Sequence, residues 1–278
     1  MKRVRVVVMF VAICSFLCMP SWAQDMNESQ LAQKAQNPVS DLISLPFQNN
    51  MNFDVGPRDE TQNILNIQPV APFSLTEKWN LITRTIVPII WQPEFVPGRG
   101  RTTGLGDINF TGFLSPAEPG RIIWGAGPIL QFPSATDDVL GAGKWGAGPS
   151  AVFLMMNPPW VNGVLINNVW SFAGSDTRRD VNQMLIQPFA NYNLPNGWYL
   201  VTAPVITANW EAASGNRWTL PIGMGAGKVF RLGRLPLNGS AQGYYNLDKP
   251  VTSGDWTLRL QIQVLLPKAM LSGGGGGS

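Results

Sequence analysis

Few residues in this chain can do chemistry. Its 278 residues include no histidine and two cysteines, Cys14 and Cys18, both inside an apolar N-terminal run. From residue 24 onward the usual general base, the thiol nucleophile and the commonest transition-metal ligands are therefore missing. Ser/His and Asp/His hydrolysis are excluded, and the expectation is no enzyme, no cofactor and no metal. Gly223-Met-Gly-Ala-Gly-Lys228 and Gly141-Ala-Gly-Lys144 look like phosphate loops, but Ile222 and Asp138 occupy the first glycine position and Val229 and Trp145 follow the lysines. Both fail the spacing that wraps a phosphate. Asp137-Asp138 reads as a solvated loop tip. What remains is a small set of ionisable groups, Arg84, Asp107 and Arg259, each placed within a stretch of strand-like sequence.

The elements that must position them are strands. In Gly254 to Lys268, Trp256, Leu258, Leu260, Ile262, Val264 and Leu266 share one phase, and Thr257, Arg259, Gln261 and Gln263 the other, with Leu265 out of phase. One oily face and one wet face is the pattern of a barrel with lipid outside and water inside.

Composition agrees. Charged residues make up only 13% of the chain, about half the share in a soluble domain, yet no segment after residue 23 has the long apolar run of a spanning helix. Residues 1–23 carry Lys2, Arg3 and Arg5, an apolar run from Val6 to Cys18, then Ser21-Trp22-Ala23, the layout of a cleavable secretory signal. The chain has 20 Lys and Arg against 17 Asp and Glu. Removal of those three cations leaves it balanced, so nucleic acid is not an expected partner. Residues 24–41 read as a periplasmic leader or short helix, either loose or folded into the lumen as a plug. Residues 269–278 resemble a linker.

Twelve strand-like segments run from about residue 42 to 267, joined alternately by tight turns such as Asn157-Pro158-Pro159 and by longer loops such as Pro93 to Thr103. Short turns on one rim and long loops on the other are the layout of outer-membrane barrels. An internal repeat at an offset of 119 residues matches Asn63, Gln68, Pro69, Trp79 and Trp91 to Asn182, Gln187, Pro188, Trp198 and Trp210, six strands apart. The twelve-residue spacing of Trp79 and Trp91, and of Trp198 and Trp210, projects to about 30 Å along a tilted barrel. Together with Trp256 these residues are expected to form two interfacial girdles. Seven prolines inside the segments (Pro69, Pro88, Pro128, Pro149, Pro188, Pro204 and Pro221) delete ladder donors, and imply bulges or bends.

On the inward phase lie Arg84, Asp107, Asn109, Gln187, Arg259 and Gln261, with Asn66, Gln68, Asn191, Asn193, Gln242 and Gln263. Arg84, Asp107 and Arg259 are expected to form either a mixed-charge constriction that selects solutes or an internal network that only holds the barrel in shape.

Longer motifs carry a resemblance. Leu31-Ala-Gln-Lys-Ala-Gln-Asn-Pro-Val-Ser-Asp-Leu-Ile-Ser-Leu-Pro-Phe-Gln-Asn-Asn50, Trp79-Asn-Leu-Ile-Thr-Arg-Thr-Ile-Val-Pro88, Lys144-Trp-Gly-Ala-Gly-Pro-Ser-Ala151 and Asn191-Tyr-Asn-Leu-Pro-Asn-Gly-Trp-Tyr199 resemble a family of bacterial outer-membrane transporters. That family is similar to the outer-membrane proteins associated with phenol (meta-pathway) degradation. The likeness spans roughly residues 31–268 and implies a barrel passing small, aromatic or hydrophobic solutes, with no binding residues to carry over. The chain departs from the usual pattern by ending its last strand on Leu265-Leu-Pro-Lys268 in place of a terminal aromatic residue.

The expectation is therefore an all-β protein, a single transmembrane antiparallel up-and-down β-barrel of about twelve strands over residues 42–268, in a bacterial outer membrane. Its expected partners are membrane lipid, the barrel-assembly machinery and a small solute. Its expected function is passive uptake, the alternative being a structural or surface-interaction barrel that transports nothing.

Overall fold

The structure, a computed structural model, describes residues 28–40, 42–95, 98–233 and 235–267. The signal-like residues 1–23 and the tail 269–278 lie outside the described residues. One antiparallel sheet closes on itself as a twelve-stranded barrel. Its strands are β1 (Leu42–Val55), β2 (Glu60–Ile67 and Val70–Ser74), β3 (Trp79–Gln92), β4 (Thr102–Leu105 and Ile108–Pro116), β5 (Ile123–Phe132) and β6 (Lys144–Asn157). They continue as β7 (Trp160–Gly174), β8 (Asn182–Asn193), β9 (Trp198–Thr202 and Ile206–Asn209), β10 (Trp218–Leu232), β11 (Leu235–Asp248) and β12 (Trp256–Pro267). Each strand pairs with its neighbours in sequence. β1 closes on β12 through a ladder from Leu42↔Pro267 to Phe53↔Trp256, so the sheet has no free edge.

Period-2 alternation sets which side chains meet lipid. On β12, Trp256, Leu258, Leu260 and Ile262 are exposed on the outer surface while Arg259 and Gln263 are buried inward. On β10, Ile222 and Met224 stand out on the lipid side, and Gly223, Gly225 and Gly227 take inner positions. The phosphate-loop look-alike is thus a strand of inward glycines. A Cβ on Gly227 would lie 2.3 Å from the Tyr199 ring, and one on Gly225 would lie 2.0 Å from the Ala241 carbonyl oxygen. The bare wall lets aromatic rings lie flat against it.

The seven prolines expected to impose bulges or bends are accommodated in several ways. Pro69 and Pro204 fall in the gaps that divide β2 and β9, where the register resumes unchanged on the far side. Pro128 faces Pro149 across β5 and β6. Pro188 faces Pro204, bracketed by the pairs Ile186↔Ile206 and Ala190↔Thr202. Opposed prolines place two missing donors on one rung and leave the flanking rungs intact. Only Pro221 coincides with a register shift, next to Leu220.

Before the barrel comes a helix, α1 (Glu28–Ala35). It sits in the mouth of the short-turn rim. Leu31 and Ala32, each 1% exposed, pack with inward-facing Leu42, Tyr199, Val201, Val229 and Leu265. Leu265, out of phase in the sequence pattern, is thereby a plug contact. Following the helix, Val39 packs against Ile82, Phe113, Val152, Leu154 and Leu165 on the opposite wall. Gln36 and Asn193 exchange amide hydrogen bonds in both directions, at 3.0 and 3.1 Å. Residues 28–40 thus pack into the barrel mouth. A helix of eight residues is marginal alone in water, so its order comes from this docking.

Candidate functional site: the polar lumen

Above α1 the barrel encloses two stacked cavities. The one toward the long-loop rim has a volume of about 400 Å³, and the one toward the short-turn rim about 210 Å³. Gln48 and Arg259 line both, so they form the waist. Residues 34–38, just after Leu31 and Ala32, floor the lower cavity, and Phe95, from the β3–β4 loop, lines the upper one.

Arg259 is held rigidly. Its Nε donates to Asn50 Oδ1 at 3.0 Å and its Nη1 to the Ala203 carbonyl at 2.9 Å. The guanidinium carbon lies 4.9 Å from the centroid of the Tyr244 ring. Tyr244 in turn donates to Gln242 Oε1 at 2.5 Å and accepts from the Ala203 N–H at 2.9 Å. The gap in β9 at residues 203–205 is what frees Ala203 N–H and C=O to serve this network. Lower down, Arg84 Nη2 donates to Gln68 Oε1 at 2.7 Å. Tyr199 donates to Asn238 Oδ1 at 2.6 Å, and Asn238 donates to Gln263 Oε1 at 3.1 Å. Every partner of the two arginines is neutral. Among the described residues neither makes an ion pair, and no Asp or Glu lines either cavity.

The expected site residues therefore divide. Arg84, Arg259, Gln187 and Gln261 line the lower cavity together, with the Gln187 amide 3.5 Å from the Ala203 carbonyl. Asn109 sits on the inward phase of β4 beside Ile86 but lines neither cavity. Asp107 does not join the arginines, so the expected set of three charges is not brought together. The reason is the gap in β4 at Gly106-Asp107. There the carboxylate turns to the β5–β6 loop and accepts from Ala142 N at 2.6 Å and Ala135 N at 3.3 Å.

Tyr244, Tyr199 and Asn50 were not singled out from sequence, though the signal existed. Tyr244 shares the phase of Gln242, Tyr199 alternates with outward Trp198, and Asn50 and Asn52 alternate with apolar Met51 and Phe53.

On the long-loop rim, charges are paired. Arg58 pairs with Glu94 at 2.8 Å, Arg101 with Glu60 at 2.8 Å, Arg99 with Asp137 at 3.0 Å and Lys144 with Asp180 at 3.1 Å. The Gly98 N–H, and then Arg58, hold the Glu94 carboxyl below the usual carboxylate range. Lys144, followed by Ser171, does the same for Asp180. Asp137-Asp138 is thus tied to arginines, Asp138 to Arg178. No cluster of three or more potential metal ligands occurs among the described residues.

On the outer surface, aromatic rings gather at both rims. Trp91, Trp210 and Trp256 stand exposed near the long-loop rim, and Trp198 stands exposed near the other. Trp79, half-buried, packs edge-on against Trp124 at 6.0 Å, Trp210 against Trp218 at 5.6 Å, and Tyr245 lies 4.7 Å from Trp256. Each such pair contributes about 0.5–1.5 kcal/mol beyond its burial. Lys228 lies 5.1 Å from the Trp198 ring, a basic group at the height where lipid headgroups lie.

Solved structures match this geometry. An outer membrane channel from Pseudomonas putida F1 superposes with a TM-score of 0.62 at 19% identity, covering 81% of this chain and 95% of that one. The barrel fold and the bacterial outer membrane follow, with lipid around the wall. Outer membrane phospholipase A from Escherichia coli matches at a TM-score of 0.44 and 13% identity, covering 87% of this chain and 98% of that one. A FadL homologue from Pseudomonas aeruginosa matches at 0.39 and 9%, covering 87% and 92%. No family model and no curated protein matches the chain. One expectation is corrected by these matches. The exclusion of enzymes as a class does not stand, because an enzyme is among the barrels similar to this one and a fold of this kind leaves catalysis open.

Proposed function

We propose that this barrel is a passive outer-membrane channel for small solutes that carry hydrogen-bonding groups. The observation that carries it is the lumen. Two cavities share a waist at Gln48 and Arg259 and are walled largely by side-chain amides and hydroxyls, which can exchange hydrogen bonds with a passing solute and its water. Small aromatic solutes, the class implied by the resemblance, belong here when they bear such a group. Short turns of outer-membrane barrels face the periplasm, so α1 floors the periplasmic exit, and passage requires it to shift. The same floor favours a second reading, a closed barrel with a structural or surface role. Liposome swelling with the protein from residue 24, and with a variant starting at residue 41, tests both. The channel reading expects the shortened protein to admit sugars or amino acids at several times the rate of the longer one. Liposomes that stay impermeable with both proteins support the closed barrel.

A further inference from the structure

We propose that the waist is a binding site for a small organic carboxylate, with Arg259 as the carboxylate-binding residue. The use of this site in uptake rests on the channel reading above, but the site itself does not.

Charge is the first argument. Arg84 and Arg259 line the lower cavity and, among the described residues, no carboxylate lines either cavity, so the two guanidiniums meet no opposing charge from those residues, in low-dielectric surroundings where a charge acts strongly. Arg259 is only 7% exposed, and burying a cation is costly unless its donors are met. A guanidinium has five N–H donors. Arg259 spends two, on Asn50 Oδ1 and the Ala203 carbonyl, which leaves three at the edge of a cavity. Its Nε and Nη1 bonds, with the Tyr244 ring at 4.9 Å, fix the plane of the group. A pre-oriented fork of this kind is what a carboxylate accepts from in a bidentate manner.

The second argument concerns the other end of the solute. Near the Asn50–Arg259 rung stand apolar groups, Ile64, which pairs directly with Asn50, and Val205, in the β9 gap at residues 203–205. Both line the upper cavity, as does Phe95. A cation beside an apolar shoulder fits an acid with a short hydrocarbon body better than a bare inorganic anion. Arg84, lower in the lumen and bonded to Gln68 Oε1, is a second cationic step on the way to the periplasmic exit.

The probe is hexanoate, with hexanamide as its neutral analogue and acetate as the acid lacking the body. Binding to the protein from residue 24 in detergent is read by isothermal titration calorimetry at 0.1 M salt, so no transport is needed. The expected result is hexanoate at least tenfold tighter than hexanamide and severalfold tighter than acetate. Arg259→Gln should lose tenfold or more, and Arg259→Lys should keep part of the affinity. Arg84→Gln, which leaves the Arg259 network untouched, should lose no more than about threefold. Equal affinity for hexanoate and hexanamide, or full retention by a folded Arg259→Gln, overturns the site. Heat-modifiable migration on gels establishes that each variant is folded. Should swelling assays find no permeation while hexanoate still binds, the channel reading fails and the site stands.

Discussion

Docking of α1 can be tested through one side chain. Leu31 is 1% exposed and packs among Leu42, Tyr199, Val201, Val229 and Leu265. Leu31→Ala removes three carbons and leaves a hole in that cluster. Alanine has helix propensity at least as high as leucine, so the loss is one of packing. Core Leu→Ala changes cost about 2–5 kcal/mol. A site at the mouth of a wet lumen belongs at the low end, about 2–3 kcal/mol, because water can refill part of the void. At 1.4 kcal/mol per factor of ten, the undocked population should rise roughly 30- to 150-fold. Both native cysteines precede residue 24, so protein starting there with Ala35→Cys carries one thiol, half-buried beside the same cluster. Its modification by a membrane-impermeant maleimide added from the short-turn side reports opening of the helix. Leu31→Ala should speed labelling by the same 30- to 150-fold and raise the channel's open fraction in planar bilayers. An acceleration under threefold would mean that Leu31 does not hold the helix, and that the reasoning from burial to docking is wrong.

Three further outcomes follow from the geometry. Gly227→Ala drives a methyl to within 2.3 Å of the Tyr199 ring and disturbs its hydrogen bond to Asn238. It should cost about 1–3 kcal/mol, read as a lower urea midpoint, while Gly243→Ala, with nothing within 4 Å of its Cβ, should leave the midpoint unchanged. Arg84→Ala with Arg259→Ala should raise single-channel conductance and shift ion selectivity toward cations, seen as a changed reversal potential in a KCl gradient. Asp180 has a lowered carboxyl pKa in the folded protein, so its tie to Lys144 is intact above the unfolded carboxylate value near pH 4 and is lost as pH falls through the lower folded value. Exchange at the Val181 amide, which donates to Ser171 Oγ, should speed up there after correction for intrinsic rates, and Asp180→Asn should abolish the transition.

The barrel was legible in the sequence because one physical rule, alternation against lipid, repeats in every strand, and because the connections alternate in length. The same rule placed Arg84, Gln68, Arg259 and Gln261 on the inner face. It misled at Asp107, where β4 pauses at Gly106-Asp107 and a surface loop folds back to use the carboxylate. Phase counting is blind to such a pause. The proline pairs, too, emerge only when strands are set side by side, since Pro128 with Pro149 and Pro188 with Pro204 meet through register alone. The plug was half visible. Residues 24–41 read as a leader either loose or folded into the lumen, and the choice between the two depends on a hollow mouth lined by side chains from four separate strands. No local pattern encodes that hollow.

α1 touches Leu42 near the start of the first strand and Leu265 near the end of the last, residues that lie on either side of the seam where the cylinder is zipped shut. It is therefore a clasp, and a late one, since the surface it grips does not exist until the two ends of the chain have found each other. Assembly of this protein thus carries its own order of events, in which the seam forms first and the helix then seals a vessel already whole.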